Sequence, residues 1–191
     1  DNLINSPLQY RKVFDWYEPI WDSLTTKEKN CLGYLCFHFT KVSRQDLQLI
    51  SYKGSNFAMF DKLMKDIEPF LNNSDCYIEI YHDSFRRFVI EQLFKVNRFY
   101  HQKLVSYYLK KKDLSLYGRK YITKHLEAIG HNNDLVISTY KKLRKNNYFD
   151  CILRSNLDDP AKVEIGRSFV NHFYFNKDIK MLVKYAIFTS N

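Results

Sequence analysis

With 191 residues, 45% hydrophobic and 17% aromatic, the chain can build one large core or two small ones. Only 5 glycines and 4 prolines punctuate it, too few for a sandwich or barrel with its frequent tight turns, so helices on short polar links are expected. The net charge of +9 is uneven: residues 1–96 hold 12 Lys+Arg against 13 Asp+Glu, whereas residues 97–191 hold the remaining 18 against 8.

The first predicted element is a helix over 9–24 with a bend near Pro19. Thr25-Thr26-Lys27-Glu28 reads as a capping box, with Thr25 at the N-cap and Glu28 at N3. It opens a helix whose Leu32, Leu35, Cys36 and Phe39 form one apolar stripe. Ser43-Arg44-Gln45-Asp46 opens a shorter helix through Leu47, Leu49 and Ile50, and Gly54-Ser55 breaks the pattern. A third helix from about Asn56 to Phe70 places Phe57, Phe60, Leu63, Met64 and Ile67 on one side. The period then changes. After the turn Asn72-Asn73-Ser74-Asp75, the run Cys76 to Tyr81 alternates as a strand, with a hairpin partner beginning at Leu71. Asp83 is expected to cap a helix from Ser84 to about Phe94.

Three helices closing on a β-hairpin follow the order of a winged helix, expected over 1–96 with its leading helix. From Asn97 onward the sequence reads as helices over 98–112, 117–130, 134–146, 148–155, 160–174 and 177–189. Their spacing suggests a helical array over 97–191 resembling tetratricopeptide repeats, without a strict repeat consensus. The last helix carries no polar cap, as in a segment cut from a longer protein. The fold class is therefore mainly α: a winged helix with a small hairpin, then a helical array.

Cysteines 31, 36, 76 and 151 make no Cys-x-x-Cys pair and no zinc-ligand spacing, so no metal is expected. Cys31 and Cys36 lie in an apolar helical pattern and read as buried free thiols, which implies a reducing, cytoplasmic location. No apolar run approaches the roughly 20 residues that cross a bilayer. Asp1 to Leu8 lacks the basic and apolar regions of a signal peptide.

One string is more specific. Tyr77 to Val89, with its core Tyr81-His82-Asp83-Ser84-Phe85-Arg86-Arg87-Phe88, resembles the end of the winged-helix domain in STAND NTPases, the signalling ATPases with NACHT or NB-ARC cores. Leu32-Gly33-Tyr34-Leu35, Ile67 to Leu71, His101 to Tyr108 and Tyr121 to Gly130 extend the resemblance to about residues 25–135. It implies that His82 reaches the nucleotide of an ATPase core, with Tyr81, Asp83, Ser84 and Arg86 as its supporting motif. The alternative is a histidine that merely ends a strand. The chain carries no Gly-x-x-x-x-Gly-Lys-Ser/Thr. ADP or ATP with magnesium is thus implied only for a parent protein, and no cofactor for this chain.

The implied function is regulation within such a protein. It would couple the nucleotide state of the absent ATPase core to partner binding or self-association through the array, in antiviral or immune signalling. Nucleic acid is the alternative partner. The helix in the recognition position carries Lys62 and Lys65 against Asp61, Asp66 and Glu68, a poor phosphate footprint. The basic second half keeps that reading open through Lys110, Lys111, Lys112 and Lys141, Lys142, Arg144, Lys145. A self-contained enzyme is not expected, because the six histidines are scattered and no convergent site is visible.

Overall fold

The computed structural model describes residues 7–52, 57–74, 76–111 and 116–182. The Gly54-Ser55 break, Lys112 and the end of the last expected helix lie outside them. The protein is mainly helical, with one small three-stranded antiparallel sheet. It divides into two compact units, residues 1–100 and 101–191.

In the first unit, α1 (Pro7–Ser23) contains Pro19, whose missing N–H removes one intrahelical bond. Thr25 caps α2 (Thr26–Phe37): its hydroxyl accepts from Glu28 N–H while the Glu28 carboxylate accepts from Thr25 N–H. Ser43 caps α3 (Arg44–Ser51) by accepting from Asp46 N–H. The third expected helix is shorter than its apolar pattern. α4 covers Phe57–Ile67, and Glu68–Phe70 tightens into a 3-10 turn because Pro69 cannot continue the α-helical ladder.

The hairpin pairs β2 (Leu71–Asn73) with β3 (Tyr77–Ile80), Leu71 opposite Ile80. A further strand, β1 (Val42–Ser43), pairs antiparallel with the other side of β3, so that the order is β1-β3-β2. Its two residues are too short to show a two-residue period, and no local pattern announces it. α5 (Asp83–Gln92) corrects the expected cap. His82 occupies the N-cap position in extended backbone and makes no side-chain cap bond, while Asp83 is the first helical residue. A 3-10 turn, Phe94–Val96, leads into α6 (Asn97–Tyr108).

Aromatic rings hold α1 against α5: Phe14 and Trp21 meet Phe88 edge-on at 5.4 and 6.1 Å, and Tyr17 meets Phe85 at 5.1 Å. Leu32, Leu47, Phe60, Ile67 and Ile78 close the core beneath the sheet.

The second unit continues with α7 (Leu116–Ile129), α8 (Asp134–Lys145), α9 (Tyr148–Leu153) and α10 (Asp159–Phe175). Asn133 and Asp158 cap α8 and α10 through backbone N–H groups of Leu135 and Ala161. Its core joins Val105, Ile122, Leu126, Val136, Tyr140, Ile165 and Phe169. Lys124 bridges to Glu164 at 2.9 Å and Lys120 to Asp158 at 3.3 Å, tying α7 to α10 and its cap. No helix among the described residues is long and apolar enough to cross a membrane.

Candidate functional site

Tyr81, His82 and Asp83 lie exposed where β3 gives way to α5. The backbone is fixed there by Tyr81 N–H donating to Phe70 carbonyl at 2.8 Å, which extends the hairpin ladder by one bond. Ser84 Oγ lies 3.2 Å from His82 Nδ1 and 2.9 Å from Tyr17 Oη, so a chain of three polar groups holds the imidazole from its Nδ1 side. Nε2 has no hydrogen-bond partner among the described residues. An imidazole so held, at an N-cap where backbone N–H groups also point outward, can meet an anionic oxygen.

The other members of the motif serve the fold. Arg86 is half-buried and reaches across to the end of α2. Its Nη2 donates to Cys36 carbonyl at 3.0 Å and His38 carbonyl at 2.7 Å, with Nε 3.3 Å from the former. Asp83 pairs with Arg87 at 3.8 Å, one turn along α5. Phe85 stacks on Phe70 at 4.5 Å.

In the second unit, the basic residues converge. Lys110, Lys111 and Lys142 line one cleft of about 700 Å³, and Arg119 and Arg154 join them. Its apolar wall is Leu109, Leu143, Tyr148 and Ile152, of which the last three are buried. Asn146 and Cys151 complete the lining, and no carboxylate lines the cleft among the described residues. Tyr148 Oη donates to Arg119 carbonyl, so the wall is tied to α7. Lys141, Arg144 and Lys145 lie off this cleft, and Arg144 pairs with Asp178 at 3.7 Å. Sequence reading missed Arg119 and Arg154 because neither stands in a long basic run. Only packing of α7 and α9 brings them to the lysines.

Of the other histidines, His38, His101, His125 and His172 are buried. His101 Nδ1 and His125 Nδ1 are 2.7 Å apart, and Tyr117 Oη is 2.7 Å from His125 Nε2. One ring must donate and the other accept across the Nδ1 pair, so at least one of the two imidazoles is neutral with a bare Nδ1. Burial accordingly pushes His101 down to about 4. Cys31 and Cys36 are buried free thiols, both pushed up to about 12 by burial, whereas Cys76 and Cys151 are exposed. No metal-ligating cluster exists among the described residues. In comparisons with protein-family models, curated proteins and solved structures, nothing matches this chain.

Proposed function

We propose that this chain is the regulatory, interaction-bearing region of a STAND-type NTPase, with His82 as its contact to nucleotide held by an ATPase core. The carrying observation is the His82 corner: exposed, held through Ser84 and Tyr17 at Nδ1, and placed at a helix start. The first unit supports a winged-helix reading. Its elements run α2, β1, α3, α4, β2, β3, and its sheet order is β1-β3-β2. The helical second unit suits an array that relays binding of a protein partner or self-association. An exposed stripe of Val13, Trp16 and Ile20 on α1, flanking the face packed on α5, adds apolar surface of the kind protein partners cover.

In this mechanism the corner is one side of a two-state interface. Nucleotide in the core engages His82 Nε2 in the closed state, and its loss releases the winged helix and frees the array. The test uses the natural reading frame that contains this chain. Its purified product is expected to carry ADP, and His82→Ala to lower ADP retention about tenfold while raising basal activity. Unchanged ADP retention in that variant would remove His82 from the mechanism.

A further inference from the structure

The five cations of the second unit's cleft are not equivalent. Lys111 lies over the rings of Tyr107 and Tyr108, at 5.0 and 5.6 Å, and Arg119 is likewise engaged within the chain. Lys110, Lys142 and Arg154 are exposed and have no ion-pair partner among the described residues. They come from just past α6, from α8 and from the end of α9, and they meet where no described carboxylate lines the surface. Lys145, exposed about one turn after Lys142 on α8, carries the same charge beyond the cleft. The acids of this unit are used elsewhere. Asp158, Glu164 and Asp159 pair with Lys120, Lys124 and Lys162 around α10, and Asp178 pairs with Arg144. Four neighbouring cations are thus left for an anion from outside to neutralise.

The apolar residues between these cations narrow the choice of anion. Leu143, Tyr148 and Ile152 are at most 4% exposed, and Leu109 is half-buried. A protein partner needs apolar surface at the centre of its interface, a membrane needs an apolar face that inserts, and a single strand needs aromatic platforms for its bases. Among the described residues that line the cleft, none offers such a surface. A nucleic-acid duplex needs none of them, because its bases are stacked inward and its phosphates bind cations directly. We propose that Lys110, Lys142, Lys145 and Arg154 form a sequence-independent docking surface for the phosphate backbone of a nucleic-acid duplex. The Arg154 guanidinium can grip two phosphate oxygens at once, and the lysines act as point charges. Asn146, exposed at the same surface, donates an amide N–H to a further phosphate oxygen. The surface belongs entirely to the second unit and does not depend on the function proposed for the His82 corner.

The test is fluorescence anisotropy with the 191-residue chain over a salt series, using a short DNA duplex, its RNA counterpart, the corresponding single strand and poly-glutamate as probes. Duplex is expected to bind whatever its sequence. Its log affinity should fall against log salt with a slope of about −3 to −4, the value for four phosphate contacts. Lys142→Gln and Arg154→Gln should each weaken duplex about tenfold at low salt and flatten the slope by about 1. Lys162→Gln, which removes an equal charge from α10, should leave both unchanged, and circular dichroism verifies that all three variants fold. Binding of either duplex in this pattern supports the proposal, and the ratio of the two identifies which one the surface prefers. Three results would each overturn it: no duplex binding at low salt, single strand or poly-glutamate binding at least as tightly as duplex, or equal losses from Lys142→Gln and Lys162→Gln.

Discussion

An arginine within a helix usually presents its guanidinium to water, but Arg86 directs its donors at two carbonyls at the end of α2. Those oxygens lack helical partners and lie at the negative end of the helix dipole, so a fixed cation there acts through hydrogen bonds and charge together. Arg86→Met keeps much of the packing and removes both effects. A loss of about 2–3 kcal/mol in urea unfolding is expected. Arg86→Lys, with a point charge and no planar fork, should recover part of it. A loss below about 0.5 kcal/mol for Arg86→Met would show that water replaces the guanidinium at no cost. The motif containing this residue was visible in the sequence, but its role was not. The carbonyls it holds are 50 and 48 residues away, and no local pattern encodes such a distance. His82 differs: its place at a strand end before a helix followed from the change of period, and the structure adds the Ser84 and Tyr17 contacts.

At the scale of elements, α2 is the hub of the first unit, packed by α3, α4, α5 and the sheet. Gly33 makes one close approach to this helix possible. A Cβ there would lie 2.5 and 2.6 Å from ring carbons of Tyr100 and 2.9 Å from a Leu93 methyl. The Tyr100 ring has little freedom to yield. It stacks on Phe37 at 5.2 Å, meets Tyr34 edge-on, and its hydroxyl donates to Asn30 at 2.9 Å. Gly33→Ala should therefore destabilise the first unit by about 1–3 kcal/mol, despite the better helix propensity of alanine. A variant as stable as the parent in urea unfolding would mean that Tyr100 moves freely. The element map was largely legible, because caps at Thr25 and Ser43 and the apolar stripes are local signals. β1 was not, since two residues gain strand character only from β3 beside them. Nor was the start of α5, because Asp83 is as good an acid for the first helical turn as for a cap.

For the molecule as a whole, the charge asymmetry was readable by counting, while the convergence of five cations on one cleft required the packing of helices within the second unit. Buried histidines give a further property that composition hides. Burial pushes His38 in the first unit and His101 and His172 in the second down to about 4, with His131 and Lys141 adding to the effect at His172. His131 is also lowered by burial. In the unfolded chain these groups titrate near their ordinary value of 6.5. Between the two values the unfolded chain binds more protons than the folded one, so stability must fall as pH drops from about 6.5 toward 4 and be level above about 7.5. Each of the three strongly shifted rings contributes to the loss at the acid end. Urea midpoints measured from about pH 7.5 to 5 should decline steadily, and that window avoids most carboxylate titration. His172→Phe keeps an aromatic ring to stack on Tyr140, which lies 3.9 Å away, but has no proton to gain, so its decline should be shallower. Midpoints that stay flat across that window would mean that these imidazoles accept protons without opening the fold, and the Nδ1 pair of His101 and His125 would then have to exist in a charged form.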